Sequence, residues 1–353
     1  MLFFGANVIA NYWLQIPDAE MTLVALSPAI FFVAISSVMR GYFNGRQNIK
    51  ATARSQTIEQ VFKTALTIIL VEIIAVISNV STEWMAGGAT LATTLATMSG
   101  FGYLYLYYKT RSKEIAVEIK STVNYKYERV RTIIRRILVV SIPIALTAIM
   151  SSLNKNIDSF TVVRSLKQFM PEDMALSQYG ILGGKVDTLT SLPLSINVAF
   201  STALVPAISA AKARKDKKTI TEKTSFSLLT SMLIGLPCTI GMCIFAGPIL
   251  NLLFPKASDG TVILQISSLT ILFTILDQTI NGALQGYGKL KIPTISLGIG
   301  VLVKLILNLI LVPIPEIGVN GAAWASVVCH AVAFTIAITA LRKNIKLNLR
   351  LDY

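Results

Sequence analysis

The sequence predicts an all-α fold, a bundle of membrane-spanning helices arranged as two pseudo-symmetric lobes. Three observations lead to this prediction: the composition, the length of the apolar segments and an internal repeat. Hydrophobic residues make up 53% of the 353 residues and charged residues only 14%, well below the roughly 25% of a soluble domain. The mean hydropathy of +0.64 agrees with this comparison. Most of the surface is therefore expected to meet lipid.

Nine apolar segments are long enough to cross a membrane. They occupy residues 22–42, 56–78, 84–108, 133–154, 186–209, 226–250, 262–285, 292–313 and 318–341. Each is close to the ~20 residues that a helix needs to cross a ~30 Å hydrocarbon core. Backbone groups find no water partners in lipid, so spans of this length are predicted to be helices. Their apolar residues run all round the helix, unlike those of a soluble amphipathic helix.

The first seventy-one residues recur 241 positions later. Aligning residues 1–71 with residues 242–312 gives 17 identities. The informative ones are polar or glycine, and they pair Gly41 with Gly282, Gly45 with Gly286, Lys50 with Lys291 and Lys63 with Lys304. A long repeat built from hydrophobic spans is typical of two-lobed transporters. Both copies run in the same direction, which predicts a pseudo-two-fold axis along the membrane normal.

The repeat also predicts that the first lobe is incomplete. The second copy is preceded by further apolar spans, whereas the first copy begins at Met1 inside an apolar segment at 1–13. We expect a truncated chain; the alternative is that Met1 is a genuine start. The predicted regions are a partial lobe, a cytoplasmic linker, a complete lobe of six spans and a basic cytoplasmic tail, at residues 1–108, 109–131, 132–341 and 342–353.

The net charge of +14 reports topology rather than nucleic-acid binding. Counted over alternate loops, 25 Lys and Arg residues fall on one side and 5 on the other. Cytoplasmic loops carry such an excess of basic residues. The basic set, at residues 40–54, 109–136, 211–223, 285–291 and 342–353, is therefore predicted to face the cytoplasm. These loops hold neither aromatic stacking platforms nor phosphate-binding glycine loops, so no nucleic-acid partner is expected.

The longest basic loop has an amphipathic pattern. Its apolar side chains recur at helical spacing, with Lys and Glu between them, at Ile115, Ile119, Val123, Tyr127 and Val130. Such a helix is suited to lie on a leaflet of anionic lipids, which are expected partners. The alternative interpretation is a solvated linker between the lobes, and the two are compatible.

No motif for catalysis, a cofactor or a metal is visible. Cys238, Cys243 and Cys329 lie in apolar spans without Cys-x-x-Cys spacing, and a buried cysteine usually acts as a small apolar residue. His330 is the only histidine, too little for an ordinary metal site. Walker, nucleophile-elbow and His-Glu-x-x-His motifs do not occur. The sequence therefore predicts neither an enzyme nor a cofactor.

Polar and ionisable residues within or beside the spans are the candidate substrate-contacting residues, because each is costly in lipid unless it faces a cavity or a partner. The candidates are Arg40, Glu59, Lys63, Asn154, Lys155, Asp158, Lys185, Asp187, Asp277, Gln278 and Lys304. The alternative for any one of them is a structural ion pair that holds helices together.

Two such ion pairs are predicted from spacing. Glu59 and Lys63 lie one helical turn apart in the favourable order, and Lys155 lies close to Asp158. Lys304 is the repeat mate of Lys63, but Gly300 replaces the glutamate, so Lys304 lacks this local partner.

Glycine and proline positions leave alternatives open. The Gly-x-x-x-Gly spacing of Gly41 with Gly45, and of Gly282 with Gly286, predicts either close helix packing or a tight turn. The prolines inside spans indicate kinks, which occur at gates and, more commonly, as packing features. They are Pro143, Pro193, Pro206 and Pro237.

Two motifs carry a resemblance to a known family. The run from Arg40 to Gln60, with Arg40-Gly41-Tyr42-Phe43-Asn44-Gly45 at its start, resembles the cytoplasmic hairpin of bacterial polysaccharide-type flippases. The run from Ser201 to Ser209 resembles a segment of their second lobe. The resemblance covers essentially the whole chain. It points to the stage V sporulation protein B and lipid II flippase branch of the multidrug/oligosaccharidyl-lipid/polysaccharide (MOP) superfamily.

The resemblance implies a MATE-like fold and a function. It implies twelve core helices in two lobes, of which this chain would lack the first two. It also implies transport of an undecaprenyl-pyrophosphate-linked sugar across the bacterial cytoplasmic membrane by alternating access, coupled to an ion or to the membrane potential. In this interpretation the lysines at 63, 155, 185 and 304 would neutralise the pyrophosphate, and a monomer is expected.

Two alternatives remain open. A cation-coupled multidrug antiporter shares the fold and would favour acidic residues in the cavity. A membrane-embedded enzyme of lipid-linked sugar metabolism would need a convergent catalytic cluster, and none is visible in the sequence.

Overall fold

The structure is a computed structural model that describes residues 2–8, 10, 19–46, 48–77, 82–121, 129–255 and 257–344. Within these ranges the chain forms helices and no strand. The α-helices, in chain order α1 to α12, are Leu2–Val8, Ala19–Gly45, Ile49–Ile77, Thr82–Ser121, Val130–Leu166, Glu172–Gly180, Asp187–Ala213, Lys217–Ile244, Ala246–Leu253, Thr261–Gly286, Lys291–Leu311 and Val319–Asn344. A π-helix at Ile181–Val186 joins α6 to α7.

Eight of the nine predicted spans each fall on one helix, and the ninth falls on two. Among the described residues, seven helical segments are long and apolar enough to cross a membrane by length and composition. They are Glu20–Gly45, Val130–Leu166, Glu172–Ala213, Lys217–Ile244, Thr261–Gly286, Lys291–Leu311 and Val319–Lys343. One predicted boundary is wrong: the segment 226–250 is interrupted at Phe245, where α8 ends and α9 begins.

The amphipathic segment predicted at 109–131 is partly described. Residues 109–121 continue α4, which runs unbroken from Thr82 to Ser121, and residues 129 and 130 lead into α5. Residues 122–128 lie outside the described residues, as do residues 11–13 of the predicted remnant and residues 345–353 of the predicted tail.

The chain divides into two compact units, Met1–Tyr127 and Glu128–Tyr353. In the first unit α4 packs against both α2 and α3. A small core forms where Phe43, Ala51 and Leu104 meet, and all three side chains are almost fully buried. Ring contacts extend this core, since Phe43 lies edge-on to Tyr107 with centroids 5.3 Å apart.

The second unit contains two apolar cores. One forms around Leu166, Val186, Leu250 and Leu264. The other forms around Ile208, Ile280, Leu284 and Leu341. Along α7, Leu189 belongs to the first core and Leu204 to the second, with the buried Asn197 between them. Asn197 therefore lies between two well-packed apolar cores along α7.

The glycine pair of α10 mediates close helix packing. A Cβ atom added to Gly282 would lie 2.6 Å from the Ser201 carbonyl oxygen, and one added to Gly286 would lie 2.7 Å from that of Val205. Both carbonyls belong to α7, so the packing interpretation explains this pair. The repeat mates Gly41 and Gly45 have nothing within 4 Å of such an atom among the described residues.

Large apolar side chains cover much of the helix surface. Leu233 on α8 is 75% exposed, Leu302 on α11 is 62% exposed and Phe160 on α5 is 70% exposed. Soluble proteins rarely expose apolar patches of this extent. Surfaces of this kind fit a lipid environment, where they face hydrocarbon instead of water.

Candidate functional site

Polar side chains inside the helix bundles gather in three clusters. We call them the Lys304 cluster, the Asn197 cluster and the Arg40 cluster. The Lys304 cluster contains Asn154, Asp158, Thr161, Lys304 and Asn308. The Asn197 cluster contains Asn197, Ser231, Gln278 and Thr279. The Arg40 cluster contains Arg40, Ser55 and Glu59. The first two belong to the second unit and the third to the first unit.

The Lys304 cluster is centred on a buried ion pair. Lys304 Nζ donates to Asp158 Oδ2 at 2.7 Å and to the Asn154 carbonyl oxygen at 2.9 Å. The two charged side chains are only 4% and 9% exposed. Asn308 Nδ2 donates to Asp158 Oδ1 at 2.8 Å, so both carboxylate oxygens have a donor. The pair is therefore neutralised within the protein.

Helical spacing brings these residues together. Asn154, Asp158 and Thr161 lie at positions i, i+4 and i+7 of α5, so they share one face. Lys304 and Asn308 lie one turn apart on α11 and face them, and Asn308 Nδ2 also donates to Thr161 Oγ1 at 3.0 Å. Four side chains and one carbonyl thus connect α5 to α11.

The third helix of this region, α12, contacts the cluster at Asn154. The Asn154 amide nitrogen lies 3.4 Å from His330 Nε2, and Cys329 Sγ lies 3.5 Å from Asn154 Oδ1. Gly300 makes this approach possible, because a Cβ atom there would lie 2.7 Å from the Cys329 carbonyl oxygen. The only histidine of the sequence therefore lies beside the Lys304 cluster.

The Asn197 cluster joins α7, α8 and α10. Asn197 Nδ2 donates to the Ile275 carbonyl oxygen at 2.9 Å and to Gln278 Oε1 at 3.1 Å. Its other amide atom, Oδ1, accepts from Ser231 Oγ at 2.9 Å. Asn197 and Ser231 are fully buried, so the cluster satisfies polar groups that lipid could not.

Asp277 lies next to this cluster on α10 but is partnered differently. Its Oδ2 atom accepts a hydrogen bond from Asn281 Nδ2 at 2.8 Å. Its Oδ1 atom is buried and has no hydrogen-bond partner within the described residues. Asp277 is therefore a buried carboxylate whose hydrogen bonding is half complete.

The Arg40 cluster connects α2, α3 and α4 in the first unit. Arg40 donates to Glu59 Oε2 at 2.5 Å, and these side chains are 19% and 18% exposed. The same guanidinium nitrogen lies 3.4 Å from Ser55 Oγ, which donates to the Gly100 carbonyl oxygen at 3.1 Å. A charged pair and a serine thus join three helices.

Both ion pairs predicted from local spacing are wrong. Glu59 pairs with Arg40 rather than with Lys63, because the neighbouring helix supplies a closer cation. Asp158 pairs with Lys304 rather than with Lys155, which points to the exposed side of α5. Sequence spacing reveals partners within one helix only, whereas both observed partners come from another helix.

Among the described residues, the other candidates form no side-chain hydrogen bond with a member of these clusters. Lys63 and Lys155 are exposed on α3 and α5. Lys185, in the π-helix, donates to the Ala257 carbonyl oxygen at 2.6 Å and lies 5.5 Å from the centre of the Phe254 ring, so it contacts the segment before α10. Asp187 is exposed at the first residue of α7.

Several cluster members are absent from the sequence-based candidates. They are Ser55, Thr161, Asn197, Ser231, Thr279 and Asn308. Asn308 could have been found, since it lies one turn from Lys304 on an otherwise apolar helix. Serine and threonine give no such signal, because in helices they usually bond to their own backbone.

Metal binding gains no support from the described side chains. Within the ranges that the structure describes, His, Cys, Asp and Glu nowhere gather in a group of three that could hold a metal ion. Within the Lys304 cluster, Lys304 is paired with Asp158, and within the Arg40 cluster, Arg40 is paired with Glu59. Such an arrangement holds helices together.

These features define a class: a polytopic helical membrane protein of the transporter type, with a repeated lobe and paired charges within its helix bundles. The model of the lipid II flippase MurJ family matches residues 26–351. The chain belongs to this family, and it is a multi-pass protein of the bacterial cytoplasmic membrane.

Curated relatives come from Bacillus subtilis strain 168. The chain is 27% identical to Stage V sporulation protein B over 328 residues, which are 93% of this chain and 62% of that protein. It is 24% identical to Lipid II flippase MurJ over 343 residues, 95% of this chain and 62% of that protein. The chain thus spans about three fifths of the length of these relatives.

Solved structures show the same fold. An inward-facing MATE family transporter of the MOP superfamily superposes with a TM-score of 0.70 at 14% identity, covering 98% of this chain and 78% of that one. Lipid II flippase MurJ in an inward closed conformation superposes with a TM-score of 0.61 at 18% identity, covering 92% of this chain and 63% of that one. The fold predicted from the sequence is confirmed.

Proposed function

We propose that this chain takes part in flipping a lipid-linked precursor, an undecaprenyl-pyrophosphate-linked sugar or peptidoglycan unit, across the cytoplasmic membrane by alternating access. The observation that carries the proposal is the family match over residues 26–351, since the family is that of lipid II flippases. The two relatives described above agree with it in name or in family. The protein acts as a transporter and not as an enzyme in this proposal.

The charges divide into two groups with different proposed roles. Lys304 is buried and fully paired with Asp158, so its ammonium group is already neutralised. A pyrophosphate needs cations that are not already paired, because breaking a buried pair leaves an uncompensated charge. Lys63 and Lys155 are exposed and better suited to contact the pyrophosphate. We assign Lys304 and Arg40 to holding helices together.

The same proposal extends to the energy source and the oligomeric state. We propose that a coupling ion or the membrane potential drives transport and that the functional unit is a monomer. Asp277 is the favoured residue for ion coupling, because its carboxylate is buried and one of its oxygen atoms accepts no hydrogen bond within the described residues. An Asp277→Asn variant that transports at the normal rate would rule out this role.

A multidrug antiporter is the second interpretation of the fold. MATE transporters superpose with TM-scores of 0.70–0.71, above the 0.61 of the flippase, but at 13–16% identity they support the fold alone. The family match covers nearly the whole chain and specifically favours the flippase.

The test is complementation in a bacterium whose own lipid II flippase can be switched off. The chain is expressed alone and fused to the remaining part of Stage V sporulation protein B. Transport is measured as the fraction of lipid-linked precursor that becomes accessible to an impermeant enzyme outside the membrane. Rescue by either protein supports the proposal. If neither rescues although both are present in the membrane, the proposed function is wrong.

Paired variants then test the assignment of charges. We expect Lys155→Ala to lower transport at least tenfold with unchanged membrane abundance. Lys218→Ala is a matched control, because Lys218 is an exposed lysine at the start of α8. A Lys155→Ala protein that transports like the control would remove Lys155 from the site and leave the family-based proposal intact.

A further inference from the structure

The second unit has an elongated cavity between α5 and α11. Its volume is about 750 Å³, and its lining residues all lie in α5 except for Lys291, the first residue of α11. They are Arg131, Thr132, Ile134, Arg135, Leu138, Val139, Ile142, Pro143 and Lys291. We call this cavity the α5–α11 groove. It belongs to neither the Lys304 cluster nor the Asn197 cluster.

Charge and apolar surface are separated along the groove. Arg131 and Arg135 lie at the N-terminal end of this face of α5, and Lys291 lines the cavity from the first turn of α11. Ile134, Leu138 and Ile142 continue along α5 at intervals of four residues on one helix face. The three aliphatic side chains are about half exposed: Ile134 is 50%, Leu138 is 49% and Ile142 is 52% exposed. The distance along α5 from Arg131 to Ile142 is about 16 Å at 1.5 Å per residue.

Hydrogen bonds close the groove at its apolar end. Thr294 Oγ1 donates to the Pro143 carbonyl oxygen at 2.9 Å and lies 2.7 Å from Thr147 Oγ1. These contacts hold α5 against α11 just beyond Pro143. The open part of the groove therefore lies towards the basic end, which the charge distribution assigns to the cytoplasm.

We propose that the α5–α11 groove binds an anionic phospholipid of the cytoplasmic leaflet. The three cations would hold the phosphate, and the aliphatic face would hold the first part of an acyl chain. No carboxylate lines the groove, so nothing in the lining offsets its positive charge. Basic pockets between helices on the cytoplasmic side of membrane proteins bind anionic headgroups in this way.

The lining favours a phospholipid over the lipid-linked sugar of the proposed function. Both ligands carry phosphate and a lipid chain, so the cations and the apolar face suit either. A sugar also needs neutral hydrogen-bonding side chains or carboxylates for its hydroxyl groups. Thr132 is the one neutral polar side chain in the lining. The groove can therefore bind a phosphate on a lipid but is poorly equipped to bind a saccharide.

The test measures lipid bound to the purified full chain in detergent by native mass spectrometry. The probes are dioleoylphosphatidylglycerol and dioleoylphosphatidylcholine, which have the same acyl chains but differ in net charge. We expect dioleoylphosphatidylglycerol to bind at least tenfold more strongly than dioleoylphosphatidylcholine. The double variant Arg131→Gln/Arg135→Gln should weaken its binding about fivefold for each cation removed.

Matched variants separate the groove from general charge. Lys217→Gln/Lys223→Gln removes two exposed cations from α8 on the same predicted side and should leave lipid binding unchanged. Leu138→Trp fills the groove from an exposed position and should reduce binding of both lipids without lowering the midpoint of thermal unfolding.

Three outcomes would overturn the proposal. Equal binding of the two probes would exclude headgroup recognition, and equal losses in the two double variants would show that the charge acts without a defined site. Stronger binding of undecaprenyl pyrophosphate than of phosphatidylglycerol, sensitive to Arg131→Gln/Arg135→Gln, would assign the groove to the transported substrate. None of these outcomes depends on transport activity, so they are distinct from a failure of the proposed function.

Discussion

The Nζ atom of Lys304 in α11 lies 2.7 Å from the Oδ2 atom of Asp158 in α5. Both side chains are nearly inaccessible, so each charge depends on the other for its stability in the helix bundle. The two residues lie 146 positions apart in the sequence, and their contact connects α5 to α11.

Removing one member of this pair should be costly, whereas removing both should cost much less. We expect Lys304→Met to lower the free energy of unfolding by about 3–5 kcal/mol, because Asp158 is left as a buried unpaired charge. Adding Asp158→Leu should recover most of that loss. The measurement is unfolding of the purified protein in detergent. Lys63→Met is the control, since Lys63 is exposed, and a double variant as unstable as Lys304→Met would contradict the prediction.

The Arg40–Glu59 contact should contribute less, because it is partly exposed. Glu59→Gln weakens a charge-assisted hydrogen bond and should cost about 1–3 kcal/mol. Glu222→Gln is the matched control, since the Lys218–Glu222 pair is separated by 3.8 Å and is highly exposed. The same unfolding experiment compares them. Equal effects of the two variants would mean that the contact of Glu59 with Arg40 adds no stability.

Repeat mates offer a direct test of helix packing. Gly282→Ala places a methyl group 2.6 Å from the Ser201 carbonyl oxygen and should destabilise the protein by about 1–3 kcal/mol. Gly41→Ala has open space around it and should be neutral or stabilising, because alanine favours a helix by about 1 kcal/mol relative to glycine. The midpoint of thermal unfolding should fall in Gly282→Ala and should stay unchanged or rise in Gly41→Ala. Equal shifts would remove the packing role of Gly282.

Asp216 should make the start of α8 sensitive to acid. Hydrogen bonds from the Thr219 hydroxyl and amide groups lower the pKa of Asp216 below its ordinary value of 3.8. A lowered pKa means that the charged cap stabilises the helix end above pH 3.8 and that this contribution is lost as the pH falls through the lowered pKa. Hydrogen exchange of the Thr219 amide should report that loss. An Asp216→Asn variant caps without titrating, so identical acid dependence in the two proteins would refute the role of Asp216.

Topology can be tested with an impermeant thiol reagent. After replacement of the native Cys238, Cys243 and Cys329 by alanine, a cysteine at Lys215 should be protected in intact cells. A cysteine at Ser258 should be labelled, because the charge distribution places that loop outside. Permeabilised cells control for reactivity, since both positions should then react. Labelling of Lys215→Cys in intact cells would reverse the predicted orientation.

The helices were predictable from the sequence because lipid imposes one requirement on every residue of a span. A run such as residues 292–313 must be apolar and helical whatever its neighbours are, and the observed Lys291–Leu311 follows that rule. The break at Phe245 depends on a residue that hydropathy does not register. Pro248 lacks the backbone N–H that would bond to the Ile244 carbonyl oxygen, and α8 ends at Ile244.

The ion pairs could be predicted in part. Hydropathy alone shows that Asp158, Glu59 and Lys304 must have partners, since unpaired charges are rare in spans. It does not show which helix supplies the partner. Spacing favoured Lys63 for Glu59, but the partner Arg40 comes from the preceding helix, which the sequence does not place beside it.

Gly300 has a consequence for how the two halves of this chain could have diverged. Its repeat mate is Glu59. The Cβ atom of a glutamate at position 300 would lie 2.7 Å from the Cys329 carbonyl oxygen, which is too close. Reverting glycine to glutamate is therefore blocked unless α12 first moves. The close contact of α11 with α12 therefore excludes any side chain at position 300 and keeps the two repeats different there.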